Sequence, residues 1–285
     1  MTRRTKLALL GAGAGAGLLI LTWALALHVG AFERLDRAIL SGFAGLYHRP
    51  RINHVAQLVA GLCDPSPYVY LAAIPVLVAL LRRRPRALLA IVAILLGANL
   101  TTHLLKPLLA VPRSGWLYGG YVNVPTGSWP SGHATAAMAL ALSCVLAAAP
   151  RLRPAVAAIG AAFAVAVSYS FLELGWHFPS DVLGGFLVAG TWTMLAVAAV
   201  SAADARWPRR SDTESRRQRP SVREALAPQA ALVAGAALVI ALLALVRPHG
   251  VISYAQNHEL FVLGAVAIGA VALAVATAIT LVVRR

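Results

Sequence analysis

Residues 128–149 read SWPSGHATAAMALALSCVLAAA and join a polar turn to an unbroken apolar run. The first five residues combine Ser, Trp, Pro and Gly, a composition typical of a loop that leads into a helix. From His133 onward the stretch contains no Asp, Glu, Lys or Arg, and Ala and Leu dominate it. It therefore predicts an apolar helix over 133–149, with polar side chains at its start that can take part in a reaction.

The composition of the whole chain places this helix in a membrane. The 285 residues are 59% hydrophobic and only 12% charged, with a mean hydropathy of +0.74, whereas soluble domains carry about 25% charged residues. The 25 Lys and Arg outnumber the 10 Asp and Glu. They cluster between apolar runs and are not interleaved with stacking aromatics, so they indicate membrane orientation and not nucleic-acid binding.

Seven further runs lack Asp, Glu, Lys and Arg and approach the length of about 20 residues that a helix needs to cross a bilayer. With 133–149 they predict an all-α, polytopic transmembrane helical bundle of about eight spans. The predicted spans lie within 7–32, 65–81, 87–105, 133–149, 154–172, 182–203, 225–246 and 260–283. After the first span, large apolar side chains at helical spacing predict a short interfacial helix. These side chains are Phe32, Leu35, Ile39, Phe43 and Leu46.

Composition also divides the chain into three parts. We predict a six-span core over 1–203, a basic cytoplasmic linker over 204–228 and a C-terminal two-helix membrane segment over 229–285. The alternative for the first span is a cleaved signal peptide ending near Ala24-Leu25-Ala26. Its apolar run, however, is longer than the roughly 7–15 residues of a signal core.

Lys and Arg are distributed unevenly between alternate loops of the predicted bundle. One side carries 18 of the 25 basic residues and the other side carries 7. Because basic residues concentrate on the cytoplasmic side, both termini are predicted to be cytoplasmic. We expect a multi-pass protein of a cell membrane, namely a bacterial plasma membrane.

Three polar segments fall at the extracytoplasmic ends of the predicted spans. They are Lys106-x6-Arg113, Pro130-Ser131-Gly132-His133 and Ser170-x6-His177-x3-Asp181. Two cations, two histidines, a carboxylate, a hydroxyl and a glycine amide are the groups that a site for anion chemistry uses. Taken singly, Lys106 and Arg113 are also typical of interface anchors and Ser131 of a helix cap.

The order and spacing of these segments resemble the signature of the type 2 phosphatidic acid phosphatase and vanadium haloperoxidase superfamily, in particular its membrane lipid phosphate phosphatases. The resemblance covers roughly residues 60–200. It implies that His177 attacks phosphorus to form a phosphohistidine, that Asp181 orients its imidazole, and that His133 acts as general acid and then as base. It also implies a phosphate pocket without a metal or other cofactor. The pocket residues are Lys106, Arg113, Ser131 and Gly132.

The sequence departs from that signature at two positions. Phe171 stands where the third motif has Arg, and Ser114 where Pro follows the Arg of the first motif. The second change affects only a loop, whereas loss of one phosphoryl donor typically costs about 10²–10³ in rate. Either Lys106 and Arg113 suffice, or another outer Arg replaces the missing one, or catalysis is lost. The candidate replacements are Arg34, Arg37, Arg49, Arg51 and Arg247.

The resemblance implies an integral membrane phosphatase for a lipid phosphate or pyrophosphate, acting on the extracytoplasmic face. Isoprenoid diphosphate, phosphatidic acid and phosphatidylglycerol phosphate all fit. A phosphotransferase that uses the same site, and a catalytically impaired protein that binds or transports phospholipid, are the alternatives. Glu173 is expected to pair with an outer Arg, Cys63 and Cys144 are expected to form no disulfide, and the oligomeric state is left open.

Cysteine labelling tests the predicted orientation. In a chain whose Cys63 and Cys144 are replaced by Ser, Gly120→Cys should react with a membrane-impermeant reagent on intact cells. Ser215→Cys should react only after the membrane is permeabilised, because it lies among the basic residues of the predicted cytoplasmic linker. Reaction of both positions from the same side would overturn the orientation.

Overall fold

The computed structural model describes residues 1–110, 116–117, 122–208 and 221–284. These residues are predominantly helical, which confirms the all-α prediction. The helices are α1 (Arg3–His28), α2 (Gly30–Ala44), α3 (Pro50–Gly61), α4 (Pro65–Leu81), α5 (Pro85–Leu108), α6 (Gly132–Ala147), α7 (Arg153–Glu173), α8 (Pro179–Arg206), α9 (Val222–Val246), α10 (Pro248–Asn257) and α11 (Glu259–Arg284). A 3₁₀ turn, Pro150–Leu152, precedes α7, and the two-residue strands β1 (Trp116–Leu117) and β2 (Val122–Asn123) pair antiparallel.

Six helices of the described chain, α1, α5, α7, α8, α9 and α11, are long and apolar enough to cross a membrane. Helices α3 and α4 qualify together as a seventh span, with a bend of 57° between them. The remaining predicted span is α6, which has 16 residues and is therefore about 24 Å long. The multi-pass membrane architecture is confirmed, although the predicted spans at 65–81 and 133–149 are short helices.

Helix α6 is enclosed by other helices of the bundle, so its backbone and side chains are covered by protein. Of its 16 residues, 13 are buried. Glycines in the neighbouring helices permit close approach. A Cβ on Gly160 of α7 would stand 2.8 Å from Ala141 Cβ, and a Cβ on Gly185 of α8 would stand 2.8 Å from Ala134 Cβ. The helix that carries His133 thus forms the centre of the bundle.

The C-terminal helix α11 packs on α2, α7 and α8. A Cβ on Gly264 of α11 would stand 2.3 Å from Ile39 Cγ2 of α2, and the rings of Phe43 and Phe261 lie 4.7 Å apart. The segment predicted as an interfacial helix is therefore helical, but α11 covers part of its apolar face. Helix α9 is largely exposed, with Ala225 as one of its buried residues.

Replacing Gly185 by Ala is expected to lower the thermal stability of the protein. The new Cβ would stand 2.8 Å from the Ser131 carbonyl oxygen and 2.9 Å from the Thr135 nitrogen, so α6 and α8 must separate at a cost of about 1–3 kcal/mol. Gly17→Ala in α1 is the matched control, because a Cβ there meets no atom within 4 Å. Thermal melts in detergent should show a lower midpoint for Gly185→Ala alone, and equal midpoints would contradict the tight contact.

Candidate active site

Four segments meet at one end of the bundle. The end of α5 brings Lys106, the start of α6 brings His133, and the turn between α7 and α8 brings His177. The turn between α3 and α4 adds Asp64. The ring centroids of His133 and His177 lie 6.4 Å apart, so the fold brings together the two histidines that the motifs singled out.

Asp181 fixes the orientation of His177. Nδ1 of His177 lies 3.3 Å from Oδ2 of Asp181, and the same oxygen accepts a hydrogen bond from the N–H of Phe178 at 2.9 Å. Asp181 is fully buried, and His177 is only 6% exposed. With Nδ1 facing the carboxylate, Nε2 is the nitrogen left to react with a substrate.

Burial lowers the pKa of His177 below its ordinary value of 6.5. The Asp181 carboxylate acts in the opposite direction, through its hydrogen bond and its charge, while the charges of Lys106 and His133 lower the pKa further. The imidazole is therefore neutral at neutral pH, which is the form that a nucleophile requires.

The start of α6 is joined to the start of α8 through the main chain. The N–H of Ser131 donates to the carbonyl oxygen of Asp181 at 2.9 Å. The Ser131 hydroxyl oxygen accepts a hydrogen bond from the N–H of Ala134 at 3.3 Å and caps α6. Ser131 is fully buried, so its hydroxyl oxygen has a structural partner, and its contact with phosphate stays a prediction.

The lysine and the helix start that were predicted to bind phosphate lie side by side. Nζ of Lys106 is 3.8 Å from the point where a Cβ on Gly132 would stand. The hydroxyls of Thr102 and Thr135 lie 3.0 Å apart and tie α5 to α6. An ammonium beside a helix N-terminus is a favourable place for an anion. Arg113, the second predicted cation, lies outside the described residues.

Asp64 is a contact of His133 that the motifs did not reveal. Its Oδ1 lies 3.0 Å from Nε2 of His133. The sequence indicates this contact only weakly, because Asp64 is a single carboxylate just before a predicted span, on the same membrane side as the three motifs. The bend between α3 and α4 is what places this carboxylate at the histidine.

Phe171 packs against both histidines. Its ring centroid lies 5.1 Å from that of His177 and 5.9 Å from that of His133, and the side chain is fully buried. The end of α7 fixes this position, because the N–H of Trp176 donates to the Phe171 carbonyl at 3.0 Å and Gly175 adopts the left-handed conformation, with φ of 70°. An aromatic ring donates no hydrogen bond to a phosphoryl oxygen, so the phosphate must be held by other groups.

Glu173 and the outer arginines are the remaining groups considered from the sequence. Replacement of the missing arginine by one of the five candidates stays a prediction; they are Arg34, Arg37, Arg49, Arg51 and Arg247. Glu173 is 3% exposed, and the side chain that interacts with its carboxylate among the described residues is the amide of Asn53. The expected pairing of Glu173 with an outer Arg is therefore not observed.

Asp36 of α2 anchors the start of α8, a second contact that the sequence did not reveal. Its Oδ1 accepts a hydrogen bond from the N–H of Ser180 at 3.0 Å, and its Oδ2 accepts one from the Ser180 hydroxyl. Asp36 is 6% exposed. Because Ser180 directly precedes Asp181, this buried carboxylate holds the turn that carries His177.

The site thus offers a neutral imidazole, a second imidazole opposite it, and an ammonium at a helix start. Within the described ranges, no group of three or more His, Cys, Asp or Glu side chains is arranged to hold a metal ion. Positioned nitrogen groups and fixed positive charge are what transfer of an anionic group such as phosphoryl requires.

Known proteins resemble the chain in the region of the site. Residues 87–205 match the model of the PAP2 superfamily, which confirms the resemblance drawn from the three motifs. The crystal structure of a transmembrane PAP2 type phosphatidylglycerolphosphate phosphatase from Bacillus subtilis is similar, with a TM-score of 0.57 and 24% sequence identity over 70% of this chain and 98% of that one. The fold of the two proteins is therefore shared. A comparison with curated proteins found no match.

Proposed function

We propose that this chain, whose residues 87–205 match the PAP2 superfamily, is an integral membrane phosphatase that hydrolyses a lipid phosphate or pyrophosphate. The observation that carries the proposal is the pair of imidazoles 6.4 Å apart, one of which faces a buried carboxylate. Lys106, beside the start of α6, supplies the positive charge that a phosphoryl group requires.

The first chemical step transfers the phosphoryl group to the protein. Nε2 of His177 attacks phosphorus and forms a P–N bond while the P–O bond to the leaving group breaks. His133 gives its proton to the leaving oxygen, so a phosphomonoester releases a neutral alcohol and a diphosphate releases a lipid monophosphate. Asp181 stabilises the positive charge that develops on His177.

The second step returns the site to its starting state. A water molecule attacks phosphorus, and His133, now neutral, takes the proton that the water loses. The P–N bond breaks, inorganic phosphate forms, and His177 becomes neutral again. One histidine thus serves as acid and then as base, which suits a group whose ordinary pKa is near 6.5.

The distribution of charge supports an active site on the extracytoplasmic face. The loops on the side of the site carry 7 of the 25 basic residues and the opposite loops carry 18. A site at the end of the bundle suits a lipid whose phosphate lies at the membrane surface. The similar solved structure is a phosphatidylglycerolphosphate phosphatase, so that lipid belongs in the substrate panel with phosphatidic acid and an isoprenoid diphosphate.

Release of inorganic phosphate tests the proposal. Purified protein in detergent should release phosphate from at least one of the three lipids, and His177→Ala should lower the rate by about 10³-fold or more, because it removes the nucleophile. His249→Ala is the matched control, since this histidine is exposed on α10 and belongs to none of the three motifs.

Three outcomes of this assay separate the alternatives. Equal and very slow release by the wild type and by His177→Ala would sink the enzymatic proposal and favour the phospholipid-binding alternative. Loss of lipid phosphate without a matching gain of inorganic phosphate would instead indicate a phosphotransferase. A matching gain that requires His177 supports the hydrolase.

The pH dependence of kcat/KM is expected to reflect the lowered pKa of His177. Activity requires the neutral imidazole of His177, so the rising limb of the pH profile should follow this pKa and lie below pH 6.5. Asp181→Asn removes the carboxylate that raises this pKa, so the limb should move to lower pH while the rate falls by about 10²-fold or more. Ionisation of the substrate affects the wild type and Asp181→Asn equally. A rising limb that stays at the same pH in the variant, or moves to higher pH, would therefore contradict the pairing of His177 with Asp181.

A further inference from the structure

The carboxylate of Asp64 makes its contact in the candidate active site and does not cap its own helix. Asp64 stands at the N-cap of α4, where an Asp side chain usually accepts a hydrogen bond from the first turn, but it makes no such bond. Pro65 and Pro67 follow it, so two of the first three helical positions have no N–H to donate. The side chain points instead to His133, with Oδ1 3.0 Å from Nε2.

The main chain holds Asp64 in place on both sides. Its N–H donates to the carbonyl oxygen of Gly61 at 3.1 Å, and its carbonyl oxygen accepts from the N–H of Tyr68 at 2.9 Å. The Asp64 side chain is 51% exposed and that of His133 is 24% exposed, so the carboxylate lies on the exposed side of the histidine pair.

The position of the leaving group follows from the proposed function, on which this inference rests. The leaving oxygen must come within hydrogen-bond reach of one of the two ring nitrogens of His133 to receive its proton. Asp64 contacts one of those nitrogens. Its carboxylate is therefore separated by no more than about the width of one imidazole ring from the hydrogen bond through which His133 protonates the leaving oxygen. Its negative charge therefore acts on whatever the leaving oxygen is attached to.

We propose that Asp64 is a specificity residue that favours phosphomonoesters of lipid alcohols over lipid diphosphates. Two physical effects act in the same direction. A lipid alcohol leaves uncharged and needs a proton, and the carboxylate in contact with His133 holds the ring that supplies this proton. The leaving group of a diphosphate is itself an anionic phosphate, which needs the proton less and is repelled by Asp64.

The charge of the leaving group therefore orders three substrates. Phosphatidic acid releases neutral diacylglycerol and should be the best. Phosphatidylglycerol phosphate releases a lipid whose remaining negative charge is separated from the broken bond by a glycerol unit, so it should be intermediate. An isoprenoid diphosphate places its second phosphate directly at the broken bond and should be the poorest.

The test compares kcat/KM for phosphatidic acid and for an isoprenoid diphosphate, in mixed micelles of one composition. Asp64→Asn keeps the size of the side chain and removes its charge, whereas Asp64→Ala removes both. In each variant the ratio of kcat/KM for phosphatidic acid to kcat/KM for the diphosphate should fall by about 10-fold or more. Glu259→Gln, an exposed carboxylate at the start of α11, is the control and should leave the ratio unchanged.

The outcomes distinguish this inference from the proposed function. If the wild type is active, His177→Ala is not, and both Asp64 variants slow the two substrates by one common factor, then Asp64 only orients His133 and the specificity proposal is wrong. A wild type that prefers the diphosphate would also overturn it. If the wild type releases phosphate from neither lipid, the proposed function fails and this inference fails with it.

Discussion

The hydrogen bond from the N–H of Ser131 to the carbonyl oxygen of Asp181 joins the two helix starts that build the site. The first residue caps the helix that carries His133, and the second orients His177 through its side chain. The main chain of Asp181 thus contacts the start of the helix that carries His133, and its side chain contacts His177. The separation of the two histidines depends on how closely α6 and α8 approach, which Gly185 permits because it has no side chain.

The membrane imposes the second constraint, because polar backbone and charged side chains at its depth must be enclosed by protein or face water. Helix α6 satisfies it by lying among longer helices, so that 13 of its 16 residues are enclosed by protein. Polar side chains at its start then lie where α6 packs against α5, α7 and α8. Two of the buried carboxylates nearby, Asp36 and Asp181, accept hydrogen bonds from main-chain N–H groups, which offsets the cost of burying them.

Much of the site could be predicted because its residues follow one another at short spacing. The spacing of His177 and Asp181 predicts their contact as two residues on one helix face, whereas His177 precedes α8 and the contact forms because the Asp181 carboxylate turns back toward the N–H of Phe178. The sequence also placed Lys106 and Gly132 on one membrane side, and their proximity follows once α5 and α6 pack together. Phe171 was recognised as unusual, but its packing against both imidazoles required the turn at Gly175 to be known.

The sequence by itself determined the number and position of most apolar helices and the residues of the three motifs, because hydrophobic length and helical spacing are local properties of the chain. Only the tertiary structure decided the contacts of Asp64 and Asp36, whose partners lie 69 and 144 residues away. It also decided that α11 covers α2 and that α6 is enclosed. These contacts depend on a bend between two helices and on how closely helices approach, and no local pattern of residues encodes either distance.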